Sequence, residues 1–94
     1  MRPVQLADVE MAARVLILAA PDRRAILMRD LISETEIADT YRQQYRTPHP
    51  QFGVGSLLSR AARCDAAPRP TAINGQVLHA YRIVFDALLS HQNQ

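Results

Sequence analysis

Four side chains of this sequence have the chemistry of metal ligands or of a nucleophile and its base: His49, His79, His91 and Cys64. A protein metal site takes three or four such ligands, usually with two of them inside one short motif. Here each stands in a different segment, and no H-x-x-x-H, C-x-x-C or E-x-x-H pair occurs. The histidines therefore read as a loop residue, a helix-surface residue and a tail residue, and no metal is expected. Cys64 has Arg60 and Arg63 close in sequence, which favours a thiolate. It also stands near the end of a helix, where the partial negative charge of the free carbonyls opposes one. Cys64 reads as a small apolar or boundary residue, with a thiol switch as a minor alternative.

The segment Gly53-Val54-Gly55-Ser56 precedes a helix and could turn backbone N–H groups towards an anion. It lacks the G-x-x-x-x-G-K-[ST] pattern of a nucleotide loop, and no strand leads into it. A turn followed by a helix cap explains it. Glu34 and Glu36 are the closest carboxylate pair, but an i,i+2 spacing sets them about 200° apart on a helix, so they cannot share a substrate. No catalytic residue and no cofactor is expected, and the chain reads as a non-enzyme.

Charge is the remaining chemical signal. All 11 basic residues are arginine, and the formal net charge is +2. Residues 1–39 are net acidic, whereas residues 40–70 hold Arg42, Arg46, Arg60, Arg63 and Arg69 against Asp65 alone. Arg60 and Arg63 are three apart and share a helix face. A helix, a loop and a short basic helix have the outline of a helix-turn-helix. The loop, however, is about ten residues rather than three or four, and the short helix carries little that reads bases. These five arginines offer phosphate contacts without specificity. Nucleic-acid binding through them is the alternative function.

The elements that must position these residues are helices. The first is expected from Leu6 to Ala20, with Asp8 in its opening turn and Pro21 as its stop. Leu6, Val9, Ala13, Leu16 and Ala20 fall on one face, and Met11, Val15 and Leu18 form a second apolar stripe roughly opposite. The second helix is expected from Pro21 to Arg46. Leu27, Leu31, Ala38, Tyr41 and Tyr45 line its apolar face, and Glu34 is a boundary carboxylate reaching solvent. At ~37 Å it would outreach a small bundle, so its end projects or the helix bends. Thr47-Pro48-His49-Pro50 breaks it. Ser56 caps a short helix from Leu57 to Cys64. Asn74 or Gly75 opens a last helix to Ser90, with Leu78, Tyr81, Val84, Phe85, Leu88 and Leu89 on one broad face. His91 to Gln94 read as a frayed tail. No segment alternates like a strand. The fold class is all-α: one four-helix domain over residues 1–94, ordered long, long, short, long, with no sheet.

Composition agrees. The 94 residues are 48% hydrophobic and 21% charged, which suits one soluble domain and argues against disorder. A single cysteine leaves no internal disulfide. No apolar run approaches a membrane span. Asp8, Glu10 and Arg14 interrupt the amino-terminal apolar stretch, leaving Val15 to Ala20 as its longest run, too short for a secretory signal. A cytoplasmic location is expected.

Met1-Arg2-Pro3-Val4, Ala12-Ala13-Arg14, Glu36-x-Ala38-Asp39-x-x-Arg42 and His49-Pro50-x-x-Gly53-x-Gly55-Ser56-Leu57 resemble a short, alanine- and arginine-rich family of alphaproteobacterial proteins that is uncharacterised. The resemblance spans essentially the whole chain and implies neither an activity nor a site. Val54 stands where that loop is associated with a small acid.

A first helix apolar on two sides is either enclosed within its own fold, the more expected case, or has one side covered by a partner, and in the second case Met11, Val15 and Leu18 are the contact residues. The expected function is a non-enzymatic protein–protein interaction module: a small adaptor, regulator or inhibitor that binds another protein or a second copy of itself. No membrane partner is expected.

Overall fold

Helix α1 spans Leu6–Leu18, α2 Arg24–Tyr45, α3 Leu57–Ala61 and α4 Gly75–Gln92, with a 3-10 turn over Pro21–Arg23, in a computed structural model that describes residues 1–92. Among these residues there is no strand or sheet. The single ladder-like pairing is an isolated antiparallel bridge between His49 and Gly53.

Local chemistry sets the boundaries. Asp8 closes a capping box on α1: its carboxylate accepts from the Gln5 N–H at 2.7 Å. The helix ends at Leu18, two residues earlier than expected. Ala19 and Ala20 are already extended ahead of Pro21. Pro21 opens the 3-10 turn rather than α2, whose first residue is Arg24. α2 ends at Tyr45, because Arg46 takes a left-handed conformation with φ 56°. Ser56 caps α3 as expected, its Oγ accepting from the Ser59 N–H at 3.1 Å. α3 stops at Ala61, three residues short of Cys64. Asn74 caps α4 through its Oδ1 and the Val77 N–H.

The carboxyl-terminal expectation needs correction. α4 continues through His91 and Gln92, and His91 is half-buried with its Nε2 3.2 Å from Glu36 Oε1. This tertiary partner holds the last turn. Asn93 and Gln94 of the expected tail lie outside the described residues.

α1 is central and packs on the other three helices, most extensively on α4 and α3. Its two apolar stripes are therefore largely internal. Val9, Ala12, Ala13, Val15 and Leu16 are all buried in the core with Met28, Leu31, Ile32, Leu57, Ala61, Ala80, Val84 and Leu88. Leu6, assigned to the core face by periodicity, is exposed, because it stands at the free end of the helix. The last turn of α2 is exposed, with Tyr45 at 58%. The loop after it packs back against Tyr41. His49 stacks on Phe52 at 4.7 Å between ring centroids and meets Tyr41 edge-on at 5.0 Å, and Tyr41 in turn meets Tyr45 at 4.6 Å.

Candidate interaction surface

Each residue with catalytic or ligating chemistry has a local structural partner. His49 Nδ1 accepts from the Gln51 and Phe52 N–H groups, which closes the loop after α2. His79 Nδ1 lies 2.8 Å from Arg24 Nη1. Cys64 is half-buried, and Arg60 donates to its Sγ at 3.4 Å. Among the described residues no three His, Cys, Asp or Glu side chains gather to hold a metal. The Gly53–Ser56 loop faces an internal carboxylate rather than an external anion. Gly55 has φ +95°, and a Cβ built on it would lie 2.6 Å from Asp39 Oδ1.

The five arginines of the basic segment do not form one free face. Arg60 Nε donates to Glu34 Oε1 at 3.0 Å, and its guanidinium sits 5.0 Å from the centre of the Phe52 ring. Glu34 is therefore in a partly buried ion pair, not simply in solvent as the sequence suggested. Arg42 pairs with Asp39 at 2.9 Å and Arg69 with Glu10 at 2.6 Å. Arg63 donates to the Pro50 carbonyl at 2.9 Å. Arg46 and Arg63 are exposed, and neither has a carboxylate partner among the described residues. Three of the five arginines are thus paired with carboxylates of the chain, Arg60 and Arg42 partly buried and Arg69 still 75% exposed.

Sequence reasoning missed an ionic cluster around the Met1 amino group. That ammonium lies 2.7 Å from Glu36 Oε1 and 3.0 Å from Asp39 Oδ2, and the Arg2 N–H donates to the Gly55 carbonyl at 2.8 Å. Burial pulls the amine's pKa down, but hydrogen bonds and charge from Glu36 and Asp39 outweigh it and hold the value above that of an ordinary terminal amine. Burial likewise pushes the Asp39 carboxyl up. Hydrogen bonds and charge from the Met1 amine and Arg42 overcome this and hold it below the ordinary range. Glu36, Asp39 and Arg42 are at i,i+3 spacings on α2, but the amine that they gather around is more than 30 residues away, so no local motif announces the cluster.

Buried Arg24 and Asp8 were also illegible as connectors. Arg24 is 2% exposed and donates to the Leu16 and Ile17 carbonyls at the end of α1 and to Gln76 Oε1 of α4. Asp8, besides capping α1, accepts from the Leu58 N–H of α3 at 2.7 Å.

The exposed apolar surface lies mainly on α4 and not at the trio Met11, Val15 and Leu18. Of the expected trio, Val15 is buried in the core, Met11 is half-buried against it, and only Leu18 is well exposed. Most of α1 is covered, and its partly exposed stripe through Ala7, Glu10, Met11, Arg14 and Leu18 is largely polar or only half-exposed. α4 differs. Val77, Ala80, Val84 and Leu88 face the core, while Leu78, Phe85 and Leu89 are exposed, beside Ile73 in the preceding segment. The broad apolar face of α4 is wider than the arc the core covers.

Two grooves flank that ridge. One, of about 620 Å³, runs between α2 and α4 and is lined by Ile32, Ile83 and Ala87 with Arg29, Glu36 and Asp86. The other, of about 400 Å³, lies between α4 and the segment before it, lined by Ile73, Leu78, Tyr81 and Phe85 with Glu10 and Arg69 at its rim. The fold thus leaves a ridge of apolar side chains uncovered between two partly apolar grooves. No helix among the described residues is long and apolar enough to cross a membrane.

No curated protein and no solved structure matches the chain. Residues 2–88 match the family model described as Domain of unknown function (DUF7742). The match covers all four helices up to the last turn of α4 and includes Leu78 and Phe85 of the exposed ridge, so the chain belongs to this family.

Proposed function

We propose that this chain is a non-enzymatic helical interaction module, a small cytoplasmic adaptor or regulator that binds another protein through the outer face of α4. The observation that carries the reading is the exposure of Leu78 (60%), Phe85 (48%) and Leu89 (61%) along one helix, with Ile73 (77%) beside them. Burying a side chain of this size is worth roughly 1.5–3 kcal/mol, so covering the ridge offers a substantial driving force for association. The grooves on either side supply the concave complement to a partner's side chains.

The test is affinity capture from the native cell with nuclease treatment, comparing the natural chain with a Phe85→Ser/Leu89→Asp variant. Both side chains are exposed, so the variant keeps the fold. The expected result is a defined protein captured by the natural chain and lost by the variant. Equal capture by both would remove α4 from the contact.

A second reading has one observation in its favour. Tyr41, Tyr45, His49 and Phe52 cluster at the end of α2, beside Arg46 of the loop and Arg63, which follows α3 and donates to the His49 and Pro50 carbonyls, and aromatic rings among arginines suit stacking with single-stranded nucleic acid. A band-shift titration across salt decides it. Retarded bands that weaken with salt and vanish on Arg46→Ala/Arg63→Ala would favour nucleic acid.

A further inference from the structure

Residues 40–64, from the end of α2 through α3, include Arg42, Arg46, Arg60 and Arg63 and no acidic residue. Arg60 is held by Glu34, but Arg2, Arg46 and Arg63 are exposed and make no ion pair among the described residues. All three are tied to one loop. The Arg2 N–H donates to the Gly55 carbonyl at 2.8 Å, and Arg63 donates to the Pro50 carbonyl at 2.9 Å. Arg46 opens the loop, which closes on itself at the bridge between His49 and Gly53. Arg42 is only half committed: its Nη2 goes to Asp39, while its Nε is buried with no acceptor among the described residues.

An aromatic surface stands beside these cations. Tyr45, 58% exposed, is the outer end of a run of rings that passes through Tyr41 and His49 to Phe52. The backbone supplies an independent observation. Arg46 has φ 56° just past the end of α2, a left-handed position that favours glycine because glycine has no Cβ. An arginine there costs backbone strain, and strain retained at an exposed residue points to a use for its side chain.

We propose that this end of the molecule binds single-stranded nucleic acid, with one base stacked on the Tyr45 ring and neighbouring phosphates held by Arg2, Arg46 and Arg63. The site rests on the second functional reading, to which it gives residues and roles, and it uses none of the apolar ridge of α4. A guanidinium offers a phosphate two parallel N–H donors and keeps its charge throughout the accessible pH range. The tyrosine ring accepts the face of any base, so the contact tolerates sequence. A duplex gives Tyr45 nothing to stack on, because its bases already cover one another.

Fluorescence anisotropy with labelled uridine and thymidine dodecamers, titrated with the full chain from about 20 to 200 mM salt, tests this. Three phosphate contacts to a single strand give a slope of about −2 in log affinity against log salt, and Arg2→Ala, Arg46→Gly and Arg63→Ala each take about 0.7 off it. Arg46→Gly also raises the unfolding midpoint, since glycine relieves the left-handed backbone. A residue kept for structure alone would not gain stability while binding is lost. Tyr45→Ala weakens binding about 5- to 150-fold at unchanged slope, and Tyr45→Phe restores it. Binding of either dodecamer supports the site, and the tighter one names the preferred sugar. Circular dichroism checks that the variants, all at exposed positions, keep their helices. No anisotropy change at the lowest salt overturns this site and the nucleic-acid reading together. Binding whose slope ignores all three arginine substitutions overturns this site and leaves nucleic-acid binding to other residues. Binding that ignores Tyr45→Ala and is displaced equally well by inorganic polyphosphate reveals a general anion patch and overturns the proposal.

Discussion

Arg24 brings a guanidinium into a site that is 2% exposed and connects three helices from there. Its Nε donates to the Leu16 carbonyl at 2.7 Å, and its Nη2 donates to the Ile17 carbonyl and to Gln76 Oε1. The free carbonyls at the end of α1, which attract positive charge, are thereby satisfied by a residue from the next helix. Arg24→Met would fit the volume and strand these acceptors, at a cost of about 2–4 kcal/mol in urea unfolding at neutral pH. Arg24→Lys should recover only part of that, since one ammonium cannot span the carbonyls of α1 and the side chains of α4 together. A loss under about 1 kcal/mol for Arg24→Met would show that water replaces the guanidinium without strain. None of this is readable from sequence: an arginine at the start of a helix looks like a surface residue until tertiary structure buries it. The same holds for Glu34–Arg60, Glu10–Arg69 and His91–Glu36, whose partners are 26, 59 and 55 residues apart.

The helices themselves were legible, because their punctuation is local. Prolines 21, 48 and 50, the Ser56 cap and the Asn74 cap act within a turn of where they stand, and the observed boundaries fall within three residues of the expected ones. Which face meets what was less legible. Periodicity finds an apolar stripe but cannot say whether it faces core or solvent, so the spare surface was assigned to α1. α1 packs on all three other helices and keeps only Leu6 and Leu18 as exposed large apolar residues, whereas α4 leaves Leu78, Phe85 and Leu89 uncovered. The loop between α2 and α3 shows the same limit. Its glycines mark a turn, but the reason for Gly55 is tertiary: Asp39 lies against it, and the backbone holds φ +95°. Gly55→Ala therefore combines strain with a clash against Asp39 and is expected to cost about 2–4 kcal/mol in thermal or urea unfolding. Gly75 is the internal control. Nothing lies within 4 Å of a Cβ built there, and the residue is helical. Gly75→Ala should raise stability by roughly 0.5–1 kcal/mol. If both substitutions shift the midpoint equally, packing against Asp39 is not what requires Gly55.

The ionic cluster acts on the molecule as a whole, because it joins the amino-terminal segment, α2, the loop at Gly55 and, through His91, α4. Its titration should therefore appear in global stability. Asp39 is held below its unfolded value, so its contribution is present above about pH 4 and is lost as pH falls through the folded value. The Met1 amine is held above its unfolded value of about 8, so its contribution is present below that and is lost as pH rises through the folded value. Stability should form a plateau from about pH 5 to 7.5 and decline on both sides. The acid limb is shared with eight other carboxyl side chains and discriminates poorly. The alkaline limb discriminates well: the chain has no lysine, and Cys64→Ser takes the thiol out of the comparison. Urea unfolding of the Cys64→Ser chain from pH 7 to 9.5 should show the decline. Adding Glu36→Gln and Asp39→Asn removes both negative charges beside the amine, which lowers the plateau and abolishes or reverses the alkaline decline, since burial, which pulls the amine's pKa down, is then unopposed by charge. An alkaline decline of unchanged slope in that triple variant would mean that the amine is not the group responsible, and that the cluster does not couple the amino terminus to the stability of the bundle.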